Sequence, residues 1–260
     1  MVQEPSAKYS ALNEKIVLVT GGSRGIGESI VRHFVAQGSY VAFSYASGEE
    51  RAKRIVAELG RDRCAAFKVD LAELGEILPF WNAVMAWKGN IDILVNNAAT
   101  REAVAIDAPI EEFDAAWIRG LRVNLVATAH LSRLAILQFR ERAGGTIIGI
   151  TGRIAVRGDR PEFLHDGASK GGMNSLLRGI ARFYGDKNIS TYLICAGLID
   201  TGQAENMISI YGKEEMLREI PVGRLGTPED VAKLCTFVAS GEAAYATGAT
   251  IDVVGASFLH

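Results

Sequence analysis

The stretch Thr20-Gly21-Gly22-Ser23-Arg24-Gly25-Ile26-Gly27 places four glycines in eight residues, between an apolar run and a helical one. Glycine takes positive φ and lets backbone approach a ligand closely, and the free N–H groups and dipole at a helix start attract a pyrophosphate. A glycine triplet also makes simple tight turns. The strand before it and the helix after it make this one a dinucleotide-binding turn, with Gly21, Ser23, Arg24, Gly25, Ile26 and Gly27 as the contacts. An NAD-preferring site places Asp or Glu about 20 residues further on, at the end of the second strand. That end reads Phe43-Ser44-Tyr45-Ala46-Ser47, with no carboxylate to repel a 2′-phosphate. Arg24 and Ser47 offer such a phosphate a cation and a hydroxyl. NADP(H) is therefore the expected cofactor, with Tyr45, Ala46 and Ser47 at its adenosine end. The alternative for Arg24 is a solvated turn residue.

The elements that must position this turn follow from periodicity. Short apolar, β-branched runs alternate with segments of helical period: 15–20 then 26–37, 40–45 then 49–59, 64–69 then 71–87, 91–95 then one long helix over 110–140. A strand at 146–151, a helix of small residues at 167–184, a strand at 189–195, a looser segment, a helix at 228–239 and a strand near 249–254 complete the chain. Continuous apolar runs such as Ile16-Val17-Leu18-Val19 belong to a parallel sheet covered on both faces. The expected fold is α/β, a single-domain Rossmann fold with a doubly wound, seven-stranded parallel sheet and helices on both faces. Its domain spans 14–260 after a tail over 1–13, with no linker or repeat to mark a boundary. The 28 Lys+Arg against 30 Asp+Glu leave no basic surplus for nucleic acid. Three cysteines at wide spacing fit neither a disulfide framework nor a zinc motif, and no metal site is expected. Met1–Glu14 lacks an apolar core and no apolar run reaches about 18 residues, so a cytoplasmic protein without a membrane partner is expected.

The sequence resembles the short-chain dehydrogenase/reductase family, most closely its 3-oxoacyl-acyl-carrier-protein reductase branch, over about residues 13–256. Thr20–Gly27 matches the family's T-G-x-x-x-G-x-G turn, and Asn96-Asn97-Ala98-Ala99 matches its N-N-A-G motif with Ala for the last Gly. Gly197-Leu198-Ile199-Asp200-Thr201 is similar to the P-G-x-x-x-T segment, with Ala196 in place of Pro. The resemblance implies that Asp70 and Leu71 border the adenine, and that Asn97, Ala98 and Ala99 also contact the cofactor. It implies that Gly197, Ile199 and Thr201 hold the nicotinamide carboxamide, that Lys170 holds the ribose hydroxyls, and that Asn124 maintains a buried water near that lysine. Asn124 satisfying only backbone groups is the alternative, as is Lys170 being a surface lysine paired with Asp166.

Two departures bear on the chemistry. The family's site is Ser, Tyr and Lys, with Y-x-x-x-K on a helix. Lys170 sets the register, which puts Asp166 at the tyrosine position and Gly152 or Arg153 at the serine position, with Thr151 as a hydroxyl source if the loop is shifted. Asp166 is shorter than a phenol and, beside Lys170, tends to be ionised, which removes the proton that carbonyl reduction needs. Hydride addition to an activated C=C bond asks less, because the last proton can come from water. Arg153, Arg157 and Arg160 lie within eight residues and can clamp a carboxylate or an enolate, with Arg153 the foremost. His165 is read as a capping or surface residue.

The expected catalytic residues are thus Lys170, Asn124, Asp166 and Arg153, in an NADP(H)-dependent oxidoreductase acting on the carbonyl or activated C=C of a small or acyl-carrier-linked substrate. The alternative is an NADP(H)-binding protein without redox turnover. Apolar positions in excess of one sheet face predict a homo-oligomer, which the resemblance makes a tetramer. Met207, Ile208, Ile210 and Tyr211 hint at an apolar substrate cover.

Overall fold

The computed structural model describes residues 9–259. The apolar runs become strands, buried on both faces in the middle of the sheet and partly exposed at its two edges: β1 (Ile16–Val19), β2 (Tyr40–Tyr45), β3 (Cys64–Lys68), β4 (Ile93–Asn96), β5 (Gly145–Gly152), β6 (Ile189–Ala196) and β7 (Thr250–Val253). All pair in parallel in the order β3-β2-β1-β4-β5-β6-β7, a doubly wound Rossmann sheet. The order reverses between β1 and β4, and a crevice opens there at the carboxyl ends of the strands.

On one face lie α1 (Gly25–Ala36), α2 (Glu49–Leu59) and α10 (Pro228–Ala239), over a core that includes Ile30, Phe34, Ile55, Val231 and Cys235. Thr227 starts α10 with a capping box to Asp230 and Pro228 at its first position, the residues a helix start favours. On the other face α3 (Leu74–Lys88), α5 (Ala127–Arg140) and α7 (Leu164–Tyr184) cover Leu18, Leu94, Ile147 and Leu193, and α4 (Ile110–Leu121) packs against α7. A short α6 (Ile154–Arg157) follows β5, while α8 (Gly202–Tyr211) and α9 (Lys213–Arg218) follow β6.

Three local departures from periodicity have physical causes. The helix expected from residue 71 starts at Leu74, because the Asp70 carboxylate accepts from the Ala72 N–H at 2.9 Å and holds residues 70–73 as a turn. The long helix expected over 110–140 is interrupted by a π-turn at Arg122–Val126 with Asn124 at its centre. In the segment read as a tail, Tyr9 and Leu12 are buried in the core, and residues 1–8 lie outside the described ones. All three cysteines are buried, and burial pushes the Cys64 and Cys195 thiols up to about 12. Among the described residues no helix is long and apolar enough to cross a membrane, and no His/Cys/Asp/Glu group is arranged to hold a metal.

Candidate active site

A cleft of about 1090 Å³ opens along the carboxyl edge of the sheet. At its β1 end, Gly21 and Gly25 have φ of +66° and +55°, in the region glycine favours. A β-carbon on Gly27 would collide with the Gly21 carbonyl oxygen, so only glycine lets α1 start this close to the turn. Asn97 fastens the turn from the other side: its Nδ2 donates to the carbonyls of Thr20 and Gly21 at 2.9 and 3.1 Å, and Thr20 Oγ1 accepts from the N–H groups of Asn97 and Ala98. No side chain caps the first turn of α1, and residues 23–27 line the cleft beneath it. This cradle fits a pyrophosphate.

Every residue expected to contact the cofactor lines this one cleft: Gly21, Ser23, Arg24, Gly25, Ile26, Gly27, Tyr45, Ala46, Ser47, Asp70, Leu71, Asn97, Ala98, Ala99, Lys170, Gly197, Ile199 and Thr201. Gly197 is held at the end of β6, where a β-carbon would lie 2.8 Å from Val254 Cα. Thr201 begins α8, and its Cγ2 lies 3.2 Å from where a Gly25 β-carbon would be, so the two loops meet across the cleft. Arg51 and Arg119 line the cleft as well and escaped the sequence reading. Arg51 stands in the first turn of α2 beside Ser47, while Arg119 pairs with Asp70 at 3.3 Å.

Lys170 is a buried lysine, which excludes the surface-lysine alternative. Its Nζ donates to the Ile150 carbonyl at 2.7 Å, so one of three N–H groups is used there and the others remain for the cleft that it lines. Burial holds its pKa below the usual lysine value, against the opposing charge of Asp166. Asp166 pairs elsewhere, with Arg101. The Arg101 Nη1 donates at 2.8 Å to Asp166 Oδ2 and at 2.6 Å to Asp159 Oδ2, and its Nη2 donates to Asp159 Oδ1 at 3.2 Å. The guanidinium also stacks 3.9 Å over the Phe163 ring. Burial alone would lower the Arg101 pKa, but the hydrogen bonds it donates to Asp159 and the charges of both carboxylates hold it above the usual value.

Asn124 takes the fourth place in this network. Its Oδ1 accepts from the Thr100 N–H at 2.9 Å, which fixes the amide's orientation. Its Nδ2 then faces the Thr100 carbonyl, Asp166 Oδ1 and Ser169 Oγ at 3.1, 3.2 and 3.0 Å. Asn124 thus bonds backbone as one of the two readings had it, and reaches Asp166 besides. Both carboxylate oxygens of Asp166 accept hydrogen bonds from groups that can only donate.

Arg153 follows β5, and its Nη2 donates to Glu219 Oε2 at 2.8 Å. Arg157 approaches the same oxygen at 3.8 Å. Arg160 lines the same mouth. Thr151 is buried, and its Oγ1 has no partner among the described residues. His165 is neither a cap nor a surface residue: it is buried within α7 against the Trp117 ring and Gly120, and burial holds its pKa below the ordinary value. Of the expected substrate cover, Ile208 is half-buried and Ile210 exposed, and the side chains of Met207 and Tyr211 lie outside the described ones.

Arg101, Asp159 and Glu219 were missed because their partners are 65, 58 and 66 residues away along the chain, with no local motif. One signal was present. Asp166, Ser169, Lys170, Met173, Leu177 and Ile180 follow one helical stripe, so an apolar stripe carried back to Asp166 demanded a cation for it.

Comparison with known proteins agrees with this geometry. The model of the family described as enoyl-(acyl carrier protein) reductase matches residues 21–255. Nodulation protein G of Rhizobium sp. (strain N33) is 35% identical over 245 residues, covering 94% of this chain and 97% of the relative. Acetoacetyl-CoA reductase of Rhizobium meliloti (strain 1021) is 33% identical, covering 94% and 99%. The 3-oxoacyl-acyl-carrier-protein reductase FabG of Chlamydia trachomatis serovar D is 32% identical, covering 94% and 97%. A seven-stranded Rossmann sheet, a glycine cradle fastened by Asn97 and a buried lysine facing the cleft agree with that match: the chain belongs to the short-chain dehydrogenase/reductase family of oxidoreductases.

Proposed function

We propose that the protein is an NADP(H)-dependent reductase that acts on an activated C=C bond of a small or acyl-carrier-linked substrate, with a proton that does not come from Asp166. The observation that carries this reading is the double acceptance at Asp166, from Arg101 on Oδ2 and Asn124 on Oδ1. A carboxylate engaged in this way has no hydrogen to give to a developing alkoxide, so ketone reduction with a proton from the residue four before Lys170 is disfavoured. Addition of hydride to a polarised C=C bond asks the site only to orient the acceptor and stabilise an enolate.

NADPH supplies the hydride when bound. Residues 21–27 would hold its pyrophosphate, and the free N–H groups of Lys170 its ribose hydroxyls. The segment from Gly197 to Thr201 would hold the carboxamide. The lack of a carboxylate at the end of β2, together with Arg24, Ser47 and Arg51 on the same wall, supports the 2′-phosphate of NADP(H) over NAD(H). The same ion pair at Asp166 also supports a second reading, in which NADP(H) binds without turnover. Exposed Ile118, Leu137 and Phe183 on α4, α5 and α7 support a homotetramer, measurable by sedimentation. Titration with NADPH and NADH, followed by NADPH oxidation over a panel of ketones and conjugated enones, tests the proposal. Oxidation with enones supports it; NADH binding as tightly as NADPH sinks the cofactor assignment, and NADPH binding without oxidation selects the second reading.

A further inference from the structure

We infer that Arg153 and Arg157 form a subsite for a free carboxylate on the substrate, and that Glu219 occupies this subsite until such a substrate displaces it. The inference rests on the cleft taking a substrate, as proposed above. Both guanidiniums converge on one oxygen, Glu219 Oε2, at 2.8 and 3.8 Å. Two cations sharing one carboxylate oxygen leave the site short of negative charge. The electrostatics of Arg157 reflect this, since burial and then the neighbouring Arg153 charge lower its pKa, with the Glu219 and Asp159 carboxylates only partly offsetting them.

The two sides of the contact differ in how firmly they are held. Arg153 directly follows the last residue of β5, its side chain is only 13% exposed, and Nη1 also donates to the Ser257 carbonyl at 3.4 Å. Arg157 comes one turn later, on the far end of α6, which packs against α7. Glu219 comes from the segment after α9, outside the sheet, and its side chain is 49% exposed. Released to water, it loses little, because an exposed carboxylate is well solvated. A substrate carboxylate would take its place on two planar forks whose geometry matches a carboxylate's two oxygens. The subsite lies on β5, which β4 separates from the phosphate cradle on β1, so the cofactor's phosphates do not account for it. Met216, next to Glu219's segment, lines the same cleft, so displacement would reshape the cover over the bound molecule.

The probes are trans-4-oxopent-2-enoate, an enone with a free carboxylate, and its methyl ester, titrated calorimetrically into the full chain saturated with NADP+. The acid is expected to bind at least about tenfold more tightly than the ester. Glu219→Gln, which removes the internal competitor, is expected to tighten acid binding several-fold and leave the ester unchanged. Arg153→Ala with Arg157→Ala is expected to reduce the acid's advantage to less than about twofold while NADP+ affinity is kept. Equal binding of acid and ester, binding of neither, or weaker acid binding in Glu219→Gln overturns the subsite. The Glu219→Gln arm decides the matter if the double variant fails to fold. Because these titrations involve no turnover, the NADPH oxidation assay fails or succeeds separately from them.

Discussion

Replacing Arg101 with Met tests the buried ion-pair network that sets the role of Asp166. The substitution keeps much of the side chain's volume over the Phe163 ring but removes the cation that bridges Asp159 and Asp166, whose side chains are 4% and 6% exposed. Since one Nη1 reaches both carboxylates at 2.6 and 2.8 Å, their oxygens lie about 5 Å apart or closer, and at an effective dielectric of about 20 their repulsion is roughly 3 kcal/mol. That agrees with the lower end of the cost of breaking a buried pair, about 3–5 kcal/mol. At about 2–4 °C per kcal/mol for a chain of this size, the Tm should fall by roughly 6–12 °C. Calorimetry of the wild type, Arg101→Met, and Arg101→Met with Asp159→Asn gives the answer. The added Asp159→Asn change should recover about half the loss, because it removes one of the repelling charges. An Arg101→Met protein melting within about 2 °C of the wild type would refute the reasoning.

Three further expectations concern the cofactor and the proton. Gly27→Ala should abolish NADPH binding while the protein stays folded, because its β-carbon meets the Gly21 carbonyl at the phosphate cradle; tight NADPH binding by this variant in fluorescence titration would contradict the cradle. Lys170 has its pKa lowered below 10.5 by burial, so the unfolded chain keeps this proton over a pH range in which the native chain has lost it. Its contribution to stability therefore rises with pH from the lowered value up to 10.5. The Tm of the wild type relative to Lys170→Met should climb as the pH rises towards 10.5, and a flat or falling difference would count against the burial of the Lys170 amine. Gly152→Ser has room, since a β-carbon there comes no closer than 3.4 Å to the Ala196 carbonyl and 3.6 Å to Ile154 Cγ1. Combined with Asp166→Tyr it should produce ketone-dependent NADPH oxidation; none in a folded, NADPH-binding variant would undercut the assignment of these two positions.

The sheet was legible because burial on both faces writes itself into β1 and β5 as unbroken apolar runs. The nucleotide cradle was legible because positive φ and close approach restrict Gly21, Gly25 and Gly27 to one residue type. The interruption at Arg122–Val126 was not, since a π-turn carries the same apolar spacing as the helices that flank it. The start of α3 was misplaced by three residues, as only the Asp70 side chain bonded to Ala72 distinguishes that turn from helix. The partners of Asp166 and Arg153 were hidden for a different reason. An ion pair leaves no period in the sequence, and Arg101 and Glu219 come from loops that the fold alone brings to the cleft.

The central claim is that Asp166 does not deliver the proton, and the kinetics of Asp166→Asn test it most directly. A general acid contributes about 10²- to 10⁴-fold to a rate. Enone-dependent NADPH oxidation by Asp166→Asn, measured on protein whose fold is verified by its Tm, should keep kcat within about threefold of the wild type. A loss of about 100-fold or more at unchanged KM would show that the Asp166 proton is transferred in the reaction and would contradict the account.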